Sequence, residues 1–121
     1  MVIPMKTIPL DKKTSRMVET LSALSNPARL QILEILAEQP ASIVADIVAR
    51  LPLAQATVSQ HLKVLQEARL IHDERAGAGR CCRVDFVELL GFAEALTQWT
   101  HRLASAVLAN PAAGGPPCRP S

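Results

Sequence analysis

Residues 53–71, LAQATVSQHLKVLQEARLI, carry the pattern that most restricts how this chain folds. If each residue advances by roughly 100° around a helix, then Val58, Leu62 and Leu65 lie together on one side. The side chains on the opposite face and at its borders are small or polar and comprise Ala56, Gln60, Lys63, Thr57 and Ser59. The segment therefore predicts a helix that packs on a core along one side and leaves a polar surface free on the other.

Four helices are predicted in the first half of the chain, over about residues 14–24, 27–39, 43–51 and 53–68. The second helix starts after Asn26, because Asn caps helix N-termini and the following Pro27 suits the first helical position. Ser42 is expected to cap the third helix, which Pro52 ends. The third and fourth helices lie close together in sequence, as the two helices of a helix-turn-helix do.

A β-hairpin and a long last helix are predicted after these helices. The strands cover Leu70–Arg75 and Cys81–Asp85, and Gly77 and Gly79 lie in the turn between them. The last helix covers about residues 86–108, and its apolar seam consists of Leu89, Ala93, Leu96, Leu103 and Val107, with Phe92 and Trp99 beside it. The expected fold class is therefore mostly α with a β-hairpin wing, a winged helix-turn-helix.

Length and composition restrict the possibilities further. A chain of 121 residues, 49% of them hydrophobic, supports one small domain. This domain is expected over residues 14–108, after a flexible arm over 1–13 and before a disordered tail over 109–121. A dimer interface would help the stability of a domain this small. No apolar run approaches the roughly 20 residues that cross a bilayer, so no membrane contact is expected. The N-terminus does not resemble a signal peptide, and three cysteines do not make a disulfide framework, so a cytoplasmic protein is expected. An enzyme is not expected, because no nucleophile–base pair, phosphate-binding glycine loop or paired carboxylates are found.

The polar side of the helix over 53–68 has the chemistry to bind double-stranded DNA. The amides of Gln55 and Gln60 can pair with adenine edges in the major groove. The hydroxyls of Thr57 and Ser59 suit bases or phosphates, and Ala56 suits a thymine methyl group. The second helix of a helix-turn-helix enters the groove by its N-terminal part, where these residues lie. The competing interpretation is that they form the solvated face of an ordinary amphipathic helix.

Other residues are expected to contact the DNA backbone. Lys63 suits a phosphate, and so does the helix N-terminus predicted at Ser42. The predicted hairpin carries Arg75, Arg80 and Arg83 on and around its turn. A basic wing directly after the helix favours DNA binding over the solvated-face interpretation, because such wings contact phosphates or the minor groove.

Three segments resemble the ArsR/SmtB family of winged-helix repressors: LSALSNPARLQILEIL, ATVSQHLKVLQEARLI and the glycine-containing hairpin. The resemblance covers about residues 17–104. It implies a homodimer built from the first and last helices, binding to operator DNA near a promoter, and release when an inducer, often a metal or metalloid, binds. A helical protein-interaction module on the same fold remains the alternative from another class, and it predicts no salt-dependent affinity for DNA.

The sequence departs from the family's pattern at a turn and at the sensing sites. The family commonly has Gly where Arg69 stands, and a left-handed Arg69 would cost about 1 kcal/mol. The third helix has no cysteine. In the last helix, the places of the family's Asp and His ligands hold Phe86, Glu88, Trp99 and Arg102. Neither of these metal sites is therefore expected. His61, which matches the family's His in S-x-H-L, is predicted to pack or to contact phosphate rather than to bind metal.

Cys81, Cys82 and Cys118 are the remaining candidates for an inducer site. Thiolates select thiophilic ions, and three of them would suit arsenite, so arsenite or a related metalloid is the leading inducer. Arg80 and Arg83 flank the adjacent pair and are expected to favour thiolate formation.

Geometry restricts this candidate site. Neighbouring residues in a strand point to opposite faces, so Cys81 and Cys82 converge on one ion only at a strand end or a distortion. His72 is predicted to lie opposite Val84 and is no obvious additional ligand. Two alternatives remain open: a repressor that needs no ligand, and a thiol-redox or persulfide sensor. Cysteine also buries well as a small apolar residue without any sensing role.

Overall fold

The computed structural model describes residues 8–39, 42–77, 79–110 and 112 of the chain. Within this part, five helices and three strands follow one another: α1 (Lys12–Leu24), α2 (Pro27–Glu38), β1 (Ser42–Ile43), α3 (Val44–Ala49), α4 (Gln55–Glu67), β2 (Ile71–Ala76), β3 (Gly79–Val84) and α5 (Phe86–Ala109). The predicted order of helices, hairpin and last helix is confirmed, with the addition of the short strand β1.

Side-chain caps fix the starts of the first two helices. Asp11 accepts a hydrogen bond from the backbone N–H of Thr14 at 2.7 Å, and α1 therefore begins at Lys12, two residues earlier than predicted. Asn26 caps α2 by accepting from the backbone N–H of Ala28 at 2.8 Å, with Pro27 at the first helical position as predicted. The predicted arm over residues 1–13 is thus two residues too long, and residues 1–7 lie outside the described part.

The prediction that Ser42 caps the third helix is wrong. Ser42 and Ile43 form β1, which pairs antiparallel with Cys82 and Cys81 of β3, and α3 begins only at Val44. The backbone of residues 42–43 thus finds its partners in the sheet rather than in a helical turn. The argument for a phosphate at a helix N-terminus on Ser42 loses its basis, and α3 is a helix of only six residues.

The three strands form one antiparallel sheet in the order β1-β3-β2. In the hairpin, Ala76 pairs with Gly79, so the turn is shorter and the strands are longer than predicted. Gly77 has φ +62°, a conformation that L residues with a Cβ rarely adopt. The hairpin is therefore held in register by a two-residue connection that needs glycine.

The core lies between α2, α3, α4 and the inner face of the sheet. Its most deeply buried side chains are Ile32, Leu36, Ile47, Val58, Leu65, Leu70, Ile71 and Cys82. The α4 residues among them are those that the helical periodicity placed inward. This aliphatic core fixes α4 on the body of the domain by one side only.

Helix α5 contributes nothing to that core, because none of its 24 residues is buried in the single chain. It packs against α1. The predicted seam remains open to solvent, with Leu89 37%, Leu103 49% and Val107 44% exposed. We call Leu89, Leu96, Leu103 and Val107 the α5 stripe. An apolar stripe of this length on an outer helix is typical of an interaction surface.

Candidate DNA-binding surface

Helix α4 presents the polar surface that its sequence predicts. Val58, Leu62 and Leu65 are buried, at 0%, 7% and 0% exposure. The side chains that are exposed on the outward face are Gln55, Ala56, Ser59, Gln60 and Lys63, and Thr57 at the border is half-buried. The six α4 side chains that are predicted to meet DNA are thus all accessible. Their contacts with DNA stay a prediction.

Arg29 fixes the orientation of α4 relative to the N-terminal helices. Its Nε donates to the backbone carbonyl of Ala23 at 2.6 Å, at the C-terminal end of α1. Its Nη1 lies 3.2 Å from Nδ1 of His61 on α4. Arginine can only donate, so this His61 nitrogen accepts and the proton of the neutral ring is on Nε2. His61 thereby links α4 to α1 through Arg29, which agrees with the structural role predicted for it.

The C-terminal end of α4 adopts a glycine-type cap without glycine. Arg69 has φ +65° and is therefore left-handed, the conformation considered for it because the family commonly has glycine at this place. Its N–H donates to the Gln66 carbonyl at 2.9 Å, and the N–H of Leu70 donates to the Leu65 carbonyl at 3.0 Å. These two bonds define a Schellman motif. Leu70 is buried beyond it, so the chain turns from α4 directly into the hairpin.

The arginines of the hairpin have different surroundings. Arg83 bonds to Glu74 at 2.9 Å, and both side chains are more than half exposed. Arg80 is hydrogen-bonded to Asp73, whose side chain is only 8% exposed. Arg75, the cross-strand partner of Arg80, is exposed and makes no ion pair with any residue in the described part. Of the predicted wing cations, Arg75 is therefore free in the described part, whereas Arg80 is held by a buried carboxylate.

A cleft of about 400 Å³ separates α4 from the hairpin. Its lining consists of Val44, Ser59, Gln60, Leu62, Lys63, Gln66 and Arg80. It thus joins the outward face of α4 to one of the wing arginines, and none of the residues that line it is acidic. Ser59, Gln60 and Lys63 of the predicted helix contacts thus share one cleft with Arg80 of the predicted wing contacts.

Two residues that hold parts of this candidate surface in place, Arg29 and Asp73, were not found from the sequence. Arg29 lies within the motif NPARLQIL, but its contacts join three helices that no periodicity connects. Asp73 lies two residues after the buried Ile71 in β2 and therefore on the same face, and this period of two was the available signal that its side chain faces inward. An acidic residue in a strand is ordinarily assigned to the solvent, which hid it.

Comparison with known proteins identifies one family. The family model described as bacterial regulatory protein, arsR family, matches residues 26–73. The HTH-type transcriptional regulator Rv2034 of Mycobacterium tuberculosis is 39% identical over 82 residues, which make up 67% of this chain and 76% of that protein. The chain belongs to the ArsR family of bacterial regulatory proteins. It is a transcriptional regulator of the helix-turn-helix type, as the resemblance of the three segments implied.

Two further matches support the family and the fold. The transcriptional activator HlyU of Vibrio cholerae is 35% identical over 72 residues, covering 60% of this chain and 66% of that protein. An ArsR-like transcriptional regulator from a Rhodococcus species superposes with a TM-score of 0.67 at 25% identity, covering 79% of this chain and 93% of that one. The predicted winged helix-turn-helix is confirmed, and the ArsR-family fold implies DNA binding.

The two adjacent cysteines of this ArsR-family chain do not form a common site in the described part. Both lie within β3, where Cys81 pairs with Glu74 and Cys82 with Asp73, so no strand end or distortion brings them together. Cys82 is fully buried and Cys81 half-buried, and both are free. Cys118 lies outside the described residues.

Arg80 acts on the Cys82 thiol in the predicted direction, but burial outweighs its effect. Burial raises the pKa of the Cys82 thiol, and the charge of Arg80 lowers it by less. Cys82 is therefore a protonated core residue at neutral pH. Arg83 lies beside the pair in sequence, but its guanidinium is bonded to Glu74.

The predicted register of His72 is also wrong. Ile71, not His72, lies opposite Val84, because the two-residue turn shifts the pairing by one position. His72 instead contacts Asp85, with Nε2 2.6 Å from Oδ2. Asp85 caps α5 by accepting from the N–H of Glu88, and this bond, followed by that of His72, lowers the pKa of the Asp85 carboxyl. The hairpin and α5 are thus joined by a polar link.

The described residues contain neither a metal-ligand cluster nor a membrane-spanning helix. In that part of the chain, no three or more His, Cys, Asp or Glu side chains come together as ligands of a metal ion. None of the described helices has the length and apolar character to cross a membrane.

Proposed function

We propose that this protein is a homodimeric repressor that binds operator DNA through α4 and the hairpin. The observation that carries the proposal is the accessible polar face of α4, which is continuous with Arg80 of the hairpin across one cleft. In helix-turn-helix docking, such a face enters the major groove, and Gln55 and Gln60 contact base edges there. Lys63, Arg75 and Arg80 neutralise phosphates on either side.

The α5 stripe supports the homodimer. Three of its four residues are more than a third exposed in the single chain. Among the described elements, α1 is the one against which α5 packs over an extended length. A second copy of α5 offers a surface of the same apolar chemistry and removes both stripes from water. A two-fold symmetric dimer then places two copies of α4 on successive turns of the same face of the DNA.

Repression follows from where such a dimer binds. A protein that covers promoter DNA excludes other proteins from it, and no further contact is required. Activation is the second candidate, because the similar HlyU protein is a transcriptional activator. In a run-off transcription assay on the upstream promoter, we expect the purified protein to lower the amount of transcript. An increase in transcript would instead establish activation.

The first experiment is binding to the DNA upstream of the gene, measured by fluorescence anisotropy at several salt concentrations. We expect submicromolar affinity that falls steeply with salt, because Lys and Arg contacts release counterions from the phosphates. A chain that binds no duplex at low salt is not a repressor. Salt-independent binding to a protein partner would then favour the hypothesis of a protein-interaction module.

The positions of the cysteines favour the ligand-independent alternative over arsenite sensing. Cys81 and Cys82 point to opposite faces of β3, and the raised pKa of Cys82 opposes the thiolate that arsenite or persulfide chemistry needs. We expect arsenite to leave operator affinity unchanged, and Cys81→Ser to bind like wild type. Release by arsenite that disappears in Cys81→Ser would restore the metalloid hypothesis, and peroxide-dependent loss of thiols together with affinity would establish the redox sensor.

A further inference from the structure

We propose that Asp73 is a positioning residue for DNA binding. It holds the Arg80 guanidinium in the cleft between α4 and the hairpin, where Arg80 and Lys63 together bind one phosphate of the DNA backbone. The inference rests on the proposed function and adds the phosphate site and the residue that builds it.

Arg80 remains able to bind an anion while it contacts Asp73. Its side chain is 61% exposed, and one nitrogen, Nη2, bonds to Oδ2 of Asp73. A guanidinium has five N–H donors in a planar fork, so several remain for a second acceptor. Anchoring a long side chain before binding removes part of the entropy cost of ordering it on DNA.

Core packing does not explain Asp73. Its side chain is 8% exposed and faces the same side of the sheet as Ile71, which is fully buried. Its Oδ1 atom is buried and has no hydrogen-bond partner among the described residues. An apolar residue would be as stable or more stable at such a site, because a buried ion pair seldom repays its desolvation. What Asp73 supplies, and an apolar residue does not, is a fixed position for Arg80.

The cleft has the chemistry of a phosphate site. Lys63 from α4 and Arg80 from β3 supply two positive charges, and Ser59 supplies a hydroxyl. Lysine binds phosphate as a point charge and arginine through paired donors, so the two are complementary. Because the same cleft borders the exposed face of α4, a phosphate bound there fixes the position of α4 on the DNA.

Glu74 is a matched control for Asp73, because the inference predicts opposite changes in DNA affinity when the two acidic residues are neutralised. Glu74 is the neighbour of Asp73 on β2 and also bonds to an arginine, Arg83, but both partners are exposed. Asp73→Asn and Glu74→Gln each remove one negative charge close to the DNA. Electrostatic repulsion alone predicts that both variants bind DNA more tightly. Positioning predicts that Asp73→Asn binds more weakly.

The experiment measures the affinity of the full-length protein for upstream duplex DNA over a range of salt concentrations. We expect Asp73→Asn to bind about fivefold more weakly than wild type, and Glu74→Gln to bind as tightly or more tightly. Arg80→Lys retains the charge but loses the fork, so we expect it to bind more weakly while it keeps the salt dependence of wild type. Thermal unfolding of each free variant verifies that it is folded.

A double-mutant cycle separates positioning from a general structural effect. In an Arg80→Lys background, Asp73→Asn has no arginine fork to position, and we expect the fivefold loss to disappear. The inference is overturned if Asp73→Asn binds at least as tightly as Glu74→Gln, or if its loss persists in full in that background. Wild-type protein that binds no duplex overturns the proposed function itself, and with it the phosphate site.

Discussion

At the scale of single residues, Arg69 has a backbone conformation that costs stability. Its φ of +65° closes the Schellman motif after α4, where a Cβ clashes with the backbone and glycine does not. We expect Arg69→Gly to stabilise the domain by about 1 kcal/mol, which corresponds to roughly 4–8 °C in Tm. The measurement is thermal unfolding followed by circular dichroism.

The control for this prediction is the preceding residue. Ala68 has φ −79° and gains nothing from the freedom of glycine, so Ala68→Gly is expected to lower Tm slightly. If both glycine variants lower Tm, Arg69 is not strained in the folded protein.

Single residues also show where sequence patterns suffice. Helical periodicity placed Val58, Leu62 and Leu65 correctly, because the inner face of α4 must be apolar. It did not place the contact between Asp73 and Arg80 or that between His72 and Asp85, because each depends on a register set by the length of the turn. A shift of one residue changes every cross-strand neighbour.

At the scale of elements, the hairpin depends on the left-handed glycine in its turn. A Cβ added to Gly77 would meet open space, so the backbone conformation alone opposes a larger residue there. We expect Gly77→Ala to destabilise the protein by about 1 kcal/mol in denaturant unfolding. Gly91, within α5, has equally open space but a helical backbone, so Gly91→Ala is expected to stabilise by about 0.5–1 kcal/mol.

Comparing Gly77→Ala with Gly91→Ala separates the effect of the turn conformation from the general effect of replacing glycine by alanine. Equal effects of the two alanines on the unfolding midpoint would contradict the assigned turn. The elements also mark a limit of sequence patterns. The start of α3 was assigned from local signals, but residues 42–43 pair with β3, about 40 positions away, and α3 begins only at Val44. The propensities of neighbouring residues carry no information about pairing with a distant strand.

At the scale of the whole molecule, the proposed homodimer rests on the α5 stripe. We expect Leu103→Glu to weaken the dimer at least about a hundredfold, because two carboxylates enter the apolar contact of two symmetric helices. Ser105 lies roughly 160° from Leu103 around α5, so Ser105→Glu adds the same charge away from the stripe and should leave the dimer intact. Light scattering after size-exclusion chromatography distinguishes the two outcomes, and a monomeric wild-type chain would contradict the proposed homodimer.

The most direct measurement of the central claim compares affinities for the operator and for its single-base-pair variants across salt concentrations. Because Gln60 faces outward on α4, we predict that Gln60→Ala loses about 1–3 kcal/mol of discrimination at one base pair in each half-site. Lys63→Ala should weaken binding to all sequences alike and reduce the salt slope by about 0.9 per subunit. A Gln60→Ala variant with unchanged base preference, together with a Lys63→Ala variant of unchanged slope, would contradict DNA recognition by α4.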